Sequence, residues 1–190
     1  MRGFELRSAR FLASDCLQRY LKHGDTAVDA TMGNGHDTLM LCELVGDEGH
    51  VYAFDVQQQA LENTKKLLTE SGCIGRAQLI LDGHEHMCSY VSENTVDAVV
   101  FNLGWLPGSD KSVRTHWETT KQAVLQALEI LKPGGICVIC VYPGHDEGAE
   151  ELAKLTEMLA DLPPQRFNVL RQTFINASPG SPECFIAQKQ

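Results

Sequence analysis

The sequence predicts an α/β fold, a doubly wound and mostly parallel seven-stranded sheet with helices on both faces and a C-terminal antiparallel hairpin. Three observations carry this. Short apolar runs rich in Val, Ile and Phe alternate with segments whose apolar residues recur every three to four positions, the pattern of strands alternating with helices. Only short breakers separate them, so successive strands are joined by crossover helices and lie parallel. The last two strand runs are joined by "ASPGSP" alone, which is too short for a crossover and makes them antiparallel neighbours.

In chain order, "SARFLASDCLQRYL" (8–21) reads as a helix capped by Ser8 and stopped by "HGD". "AVDAT" (27–31) is a strand, "HDTLMLCELV" (36–45) a helix, "HVYAFDV" (50–56) a strand and "QQQALENTKKLLTESG" (57–72) a helix closed by Gly72. "AQLILDG" (77–83) and "VDAVVFN" (96–102) are strands. The spacing then predicts a helix over 111–131, a strand over 134–142, a helix over 147–162 and the hairpin strands 167–176 and 183–190. Internal repeats, low-complexity runs and linkers are absent from the sequence, and 190 residues at 43% hydrophobic suit one domain, 1–190.

No apolar stretch reaches membrane-spanning length, nor does the N-terminus read as a signal peptide, so a cytoplasmic protein without membrane contact is expected. The seven cysteines include Cys42, Cys137 and Cys140 inside apolar periodic segments, where a reduced Cys packs as a small hydrophobe. Cys137 and Cys140 spell C-x-x-C, but within a strand rather than at a helix start, which argues against a redox pair. The net charge of −9 argues against nucleic acid at first sight. It is unevenly spread. Arg2, Arg7, Arg10, Arg19 and Lys22 outnumber Glu5 and Asp15 over residues 1–22, so a local basic surface is compatible with an acidic whole. Solvated helix faces explain the same pattern.

In a doubly wound sheet ligands sit at the carboxyl ends of the strands, and four such ends are informative. At "VDATMGNGHDT" a strand runs into Gly33-x-Gly35 and then a helix, so backbone can approach a ligand and aim N–H groups at it. Thr38 stands where a dinucleotide fingerprint needs its third glycine. The loop fits better the acidic-x-small-x-Gly-x-Gly pattern of S-adenosylmethionine (SAM) enzymes, with Asp29, Thr31, Gly33 and Gly35 in register and Met32, Asn34, Asp37 and Thr38 beside them. An acid at Asp29 suits a ligand bearing an ammonium and a sulfonium and would repel a pyrophosphate. A plain strand-to-helix turn is the alternative. Asp55, with Val56 and Gln57 after it, ends the second strand where a carboxylate takes ribose hydroxyls. Asp82, Gly83 and His84 fall where an adenine would lie; His84-x-His86 lacks further ligands at useful spacing, so no metal is expected.

The fourth end is "FNLGWLPGSDK". Asn102, Leu103, Gly104 and Trp105 occupy the four places that hold Asn/Asp/Ser-Pro-Pro-aromatic in methyltransferases acting on exocyclic amines. An amide oxygen and a backbone carbonyl accept an amine's N–H bonds and turn its lone pair toward a methyl, while an aromatic ring stacks on the base. The two prolines are missing here.

"DATMGNGHDT", "NLGWLPGSDK", "LKPGG" and "SPGSPECFIAQK" together resemble the small Rossmann-type class I SAM methyltransferases labelled rRNA methylases, over nearly the whole chain. That resemblance implies a cytoplasmic bacterial enzyme, often a homodimer, that binds the tRNA anticodon stem-loop. It would convert 5-aminomethyl-2-thiouridine at the wobble position to 5-methylaminomethyl-2-thiouridine, leaving S-adenosylhomocysteine (SAH). Direct in-line transfer needs the neutral amine, and a positioned base contributes about 10²–10⁴-fold. Asp110 and His145 are the candidate acceptors beside Asn102, and Trp105 and Tyr142 the stacking candidates. Leu106, Pro107, Gly108, Pro143 and Gly144 would shape the substrate site, and Lys111, Arg114 and Lys121 would reach phosphates or serve only as helix-face charges. Three readings compete: a methyltransferase of rRNA or of a small-molecule amine, an NAD-dependent dehydrogenase, and a non-catalytic adenosine-binding protein.

Overall fold

The computed structural model describes residues 7–104 and 115–190. Strands β1 (Thr26–Asp29), β2 (His50–Asp55), β3 (Ala77–Leu81), β4 (Val96–Asn102), β5 (Leu131–Val141), β6 (Phe167–Gln172) and β7 (Glu183–Lys189) form one sheet in the order β3-β2-β1-β4-β5-β7-β6. All neighbours are parallel except β7, which runs antiparallel to both β5 and β6. The expected seven strands and terminal hairpin are therefore present. The order reverses between β1 and β4, which opens a crevice above their carboxyl ends.

Strand periodicity distributes the core over both faces. Val28, Phe54, Val99, Phe101, Ile139 and Phe185 pack with α4 (Trp117–Ile130) and α5 (Asp146–Ala160). Ala27, Val51, Ala98, Val100, Val138 and Cys184 pack with α1 (Ala9–Tyr20), α2 (His36–Val45) and α3 (Gln58–Glu70). Adjacent residues of one strand thus serve opposite layers, as a period of two requires. The same rule separates Cys137 from Cys140, which lie in different clusters, and all seven cysteines are free thiols. Among the described residues no helix is long and apolar enough to cross a membrane.

Several elements differ from expectation, and β6 ends at Gln172 rather than at 176. The helix expected over 111–131 begins at Trp117 within the described residues: its cap, His116, is extended, and Thr115 is tied to Gly104, its N–H donating to the Gly104 carbonyl at 2.9 Å and its hydroxyl accepting from Gly104 N–H at 3.0 Å. Strand β5 starts at Leu131, and residues 132–135 bulge opposite Asp97 before pairing resumes at Ala98 with Ile136. A short 3₁₀ turn, His84–Ser89, follows β3 where no element was expected; Gln126 of α4 holds it, accepting from Cys88 N–H and donating to the Glu85 carbonyl.

Candidate functional site

The loop between β1 and α2 is fastened on every side. Ala30 N–H donates to the Val100 carbonyl and Met32 N–H to the Phe54 carbonyl, each at 2.9 Å, tying the loop to both flanking strands. Gly35 caps α2 in the left-handed region (φ 80°), and a Cβ there would meet Thr64 of α3 at 2.7 Å, so only glycine lets α2 start this close to α3. Thr64 returns a hydroxyl bond to the Gly33 carbonyl at 3.1 Å, and Asn63 donates to Asn34 Oδ1 at 2.9 Å.

Three carboxylates surround this loop. Asp29 is fully buried; Thr31 N–H donates to Oδ1 (3.1 Å) and the Thr38 hydroxyl to Oδ2 (2.6 Å). Burial, then the nearby Asp37 charge, pushes its pKa up to about 7 against the lowering effect of those two bonds. Its side chain serves the loop's own framework rather than facing the crevice. Asp55 accepts Gly33 N–H at 2.9 Å on one oxygen and Gln57 N–H at 2.9 Å on the other, joining the β2 end to the glycine turn. Asp37, in the first turn of α2, takes Arg10 Nη2 on Oδ1 (3.1 Å) and Asn102 Nδ2 on Oδ2 (2.5 Å). Acidic groups gathered in this way disfavour a phosphate.

Asn102 joins this loop to the next strand end. Its backbone N–H donates to Thr31 Oγ1 at 2.8 Å, and its Oδ1 accepts the Tyr142 hydroxyl at 3.2 Å. Burial pushes the Tyr142 pKa up to about 12, so the phenol keeps its proton and remains a donor. Beyond Asn102, a cavity of about 200 Å³ opens between the β4 and β5 ends and α4 and α5. Gly104, Tyr142 and His145 line it together with residues the sequence did not single out, among them Thr115, His116, Glu118 and Glu151. Glu151 is almost fully buried, accepts the Thr120 hydroxyl at 2.6 Å and the Thr115 hydroxyl at 3.3 Å, and has its pKa raised by burial.

Other expected residues occupy more modest places. Met32 and Leu103 are buried, and Leu103 lines the cavity. Val56 is exposed beside Gln57 at the β2 end. Asp82 turns to its own 3₁₀ segment, accepting from Gly83 N–H, Tyr90 hydroxyl and His86 Nδ1, with its pKa lowered chiefly by the His86 bond. Buried His84 instead donates Nδ1–H to the Ala30 carbonyl at 3.1 Å, so the two imidazoles serve different partners. His145 caps α5, its Nδ1 accepting Gly148 N–H at 3.1 Å, and protonation there would dissolve the cap. Pro143 and Gly144 pack against Gly180 of the β6–β7 turn. Lys121 is exposed on α4. Trp105, Leu106, Pro107, Gly108, Asp110, Lys111 and Arg114 lie outside the described residues. Arg10 was missed because nothing in spacing connects it with Asp37, 27 residues on.

Residues 51–188 match the family model described as "Putative rRNA methylase". Over 172 residues the chain is 40% identical to "tRNA (mnm(5)s(2)U34)-methyltransferase, chloroplastic" of Arabidopsis thaliana, covering 84% of this chain and 62% of that protein, so it spans under two thirds of that relative's length. A Clostridium thermocellum crystal structure of the same rRNA-methylase description superposes with TM-score 0.95 at 42% identity, covering 98% of this chain and all of that one. A Streptococcus mutans methyltransferase in complex with SAH superposes with TM-score 0.88 at 37% identity, again over 98% and 100% of the two chains.

Proposed function

The chain belongs to the family described as "Putative rRNA methylase", and on that premise we propose that residues 1–190 form one SAM-dependent N-methyltransferase domain that methylates tRNA. Its substrate is the wobble uridine 5-aminomethyl-2-thiouridine, presented by the anticodon stem-loop. The Arabidopsis thaliana relative, named for mnm(5)s(2)U34, supports the nucleoside, and the Streptococcus mutans neighbour's SAH supports the cofactor.

The observation that carries the reading is the placement of Asn102. It ends β4 at the reversal of strand order, its N–H rests on Thr31 of the glycine loop, and its carboxamide oxygen accepts from Tyr142, which lines the cavity beyond Gly104. Asp55 and the Gly33–Gly35 turn would hold the adenosine and methionine parts of SAM. The residues present suit that group: a glycine turn leading into the N-terminus of α2, a strand-end carboxylate, and acidic side chains around the loop. The Asn102 carbonyl accepts an N–H of the substrate amine and turns the nitrogen lone pair toward the methyl. The C–N bond forms as the methyl–sulfur bond breaks, the electron pair stays on sulfur, and the methylated nitrogen releases one proton to a base. Proximity and alignment supply most of the rate.

A second reading, a small cationic amine as substrate, is favoured by the acidic cavity lining of Glu118, Glu147, Glu150 and Glu151 against Lys154. Transfer of labelled methyl from SAM to purified tRNA, rRNA and small amines in parallel decides between them. Incorporation into tRNA alone supports the proposal. Label in amines with none in tRNA overturns it.

A further inference from the structure

We propose that Asp37 is a positioning residue that acts through Asn102, fixing which end of the carboxamide faces the reacting amine; this rests on the methyltransferase reading above. An amide side chain can sit either way round, and the two orientations differ chemically, since one end only donates and the other only accepts. An ionised carboxylate only accepts. Asp37 Oδ2 therefore demands the NH₂ end of Asn102, which it holds at 2.5 Å, and the opposite orientation would set two oxygens against each other. The carbonyl end is thereby turned to the Tyr142 hydroxyl at 3.2 Å, which fills one of its two lone pairs and leaves the second for a substrate N–H.

The carboxylate is itself held. Arg10 of α1 donates to its other oxygen at 3.1 Å, and the Arg10 pKa is raised chiefly by the Asp37 charge. The Asn102 backbone is anchored independently through Thr31. One carboxylate oxygen takes Arg10 and the other takes Asn102, so both ends of Asp37 are tied to protein groups. Three elements distant in sequence, α1, α2 and the β4 end, thus fix the polarity of one amide.

The test is a double-mutant cycle of Asp37→Asn and Asn102→Ala, with SAM affinity, methyl transfer and the side-chain ¹H–¹⁵N signals of selectively labelled asparagine as readouts. Asn at 37 keeps the shape but accepts either end of Asn102. The expected result for Asp37→Asn is a kcat lower by about tenfold or more, SAM affinity within about threefold, and no further loss when it is added to Asn102→Ala. In the native protein the Asn102 NH₂ signal lies downfield, and it moves back in Asp37→Asn. A SAM affinity that falls by the same factor as kcat/KM, or full additivity of the two changes, overturns the proposal by making Asp37 a cofactor contact. The NMR arm needs no turnover: if no substrate is methylated the functional reading fails, while an unshifted Asn102 signal sinks the positioning role by itself.

Discussion

Replacing Asp29 by Asn removes one titrating group from the centre of the site with almost no change of shape. Asparagine can still accept Thr31 N–H on its oxygen, and its NH₂ can donate to the Thr38 hydroxyl, so both bonds seen in the fold have counterparts. What disappears is the charge. Asp29 has no solvent exposure, and its pKa rises from 3.8 to about 7 in the fold. The folded protein therefore binds more protons than the unfolded chain between those values, and stability falls as pH rises through that window. Three pKa units correspond to about 4 kcal/mol as an upper bound. For a chain of this size that is a change of about 10 °C in the Tm difference between the two proteins. Thermal unfolding of native and Asp29→Asn protein from pH 4 to pH 8 is the assay. Groups common to both proteins, Glu151 among them, cancel in the difference. The native protein should lose its advantage over Asp29→Asn as pH rises, with the difference level above about pH 7. Parallel curves, or a native protein that gains on the variant as pH rises, would refute the assignment of Asp29 as a buried acid whose pKa is raised in the fold.

Other substitutions separate cofactor, substrate and framework roles. Asp55→Ala frees Gly33 N–H and Gln57 N–H, and calorimetry should find SAM binding weaker by about tenfold or more, since bonds to a charged acceptor are worth about 1.5–3 kcal/mol. Unchanged affinity would detach Asp55 from the cofactor. Thr120→Val removes the hydroxyl that donates to buried Glu151 at 2.6 Å and should destabilise the fold by about 1–3 kcal/mol in denaturant titration at neutral pH, while Thr120→Ser should cost much less. Trp105→Ala should leave SAM affinity intact and abolish methyl transfer to tRNA; full retained activity would remove the stacking role from that residue.

The parts of this molecule legible in the sequence are those governed by local periodicity. Val28, Phe54 and Phe101 alternate with partners on the other face because strands have a period of two, and the carboxyl ends of those strands locate Asp55 and Asn102. The turn at Gly35 was legible for a related reason, since a strand entering Gly-x-Gly before a helix needs backbone freedom. What a residue does at its strand end was less so. Asp29 reads as a ligand-facing acid, yet its burial depends on α2 folding Thr38 back onto it. His145 reads as a base in a loop, but its ring accepts the N–H of Gly148 and starts α5. Helical spacing at Thr115 and His116 was overridden by two bonds between Thr115 and Gly104, eleven residues earlier, while residues 111–114 lie outside the described residues. The link from Arg10 through Asp37 to Asn102 spans 27 and then 65 residues, and no local pattern encodes contacts at that range.

The measurement that tests the central claim most directly is nucleoside mass analysis of bulk tRNA from cells lacking this protein, before and after incubation with the purified protein and SAM. The account predicts that 5-aminomethyl-2-thiouridine falls while 5-methylaminomethyl-2-thiouridine rises in equal amount, with one SAH formed per methyl transferred. An unchanged nucleoside profile from protein that binds SAM would contradict it.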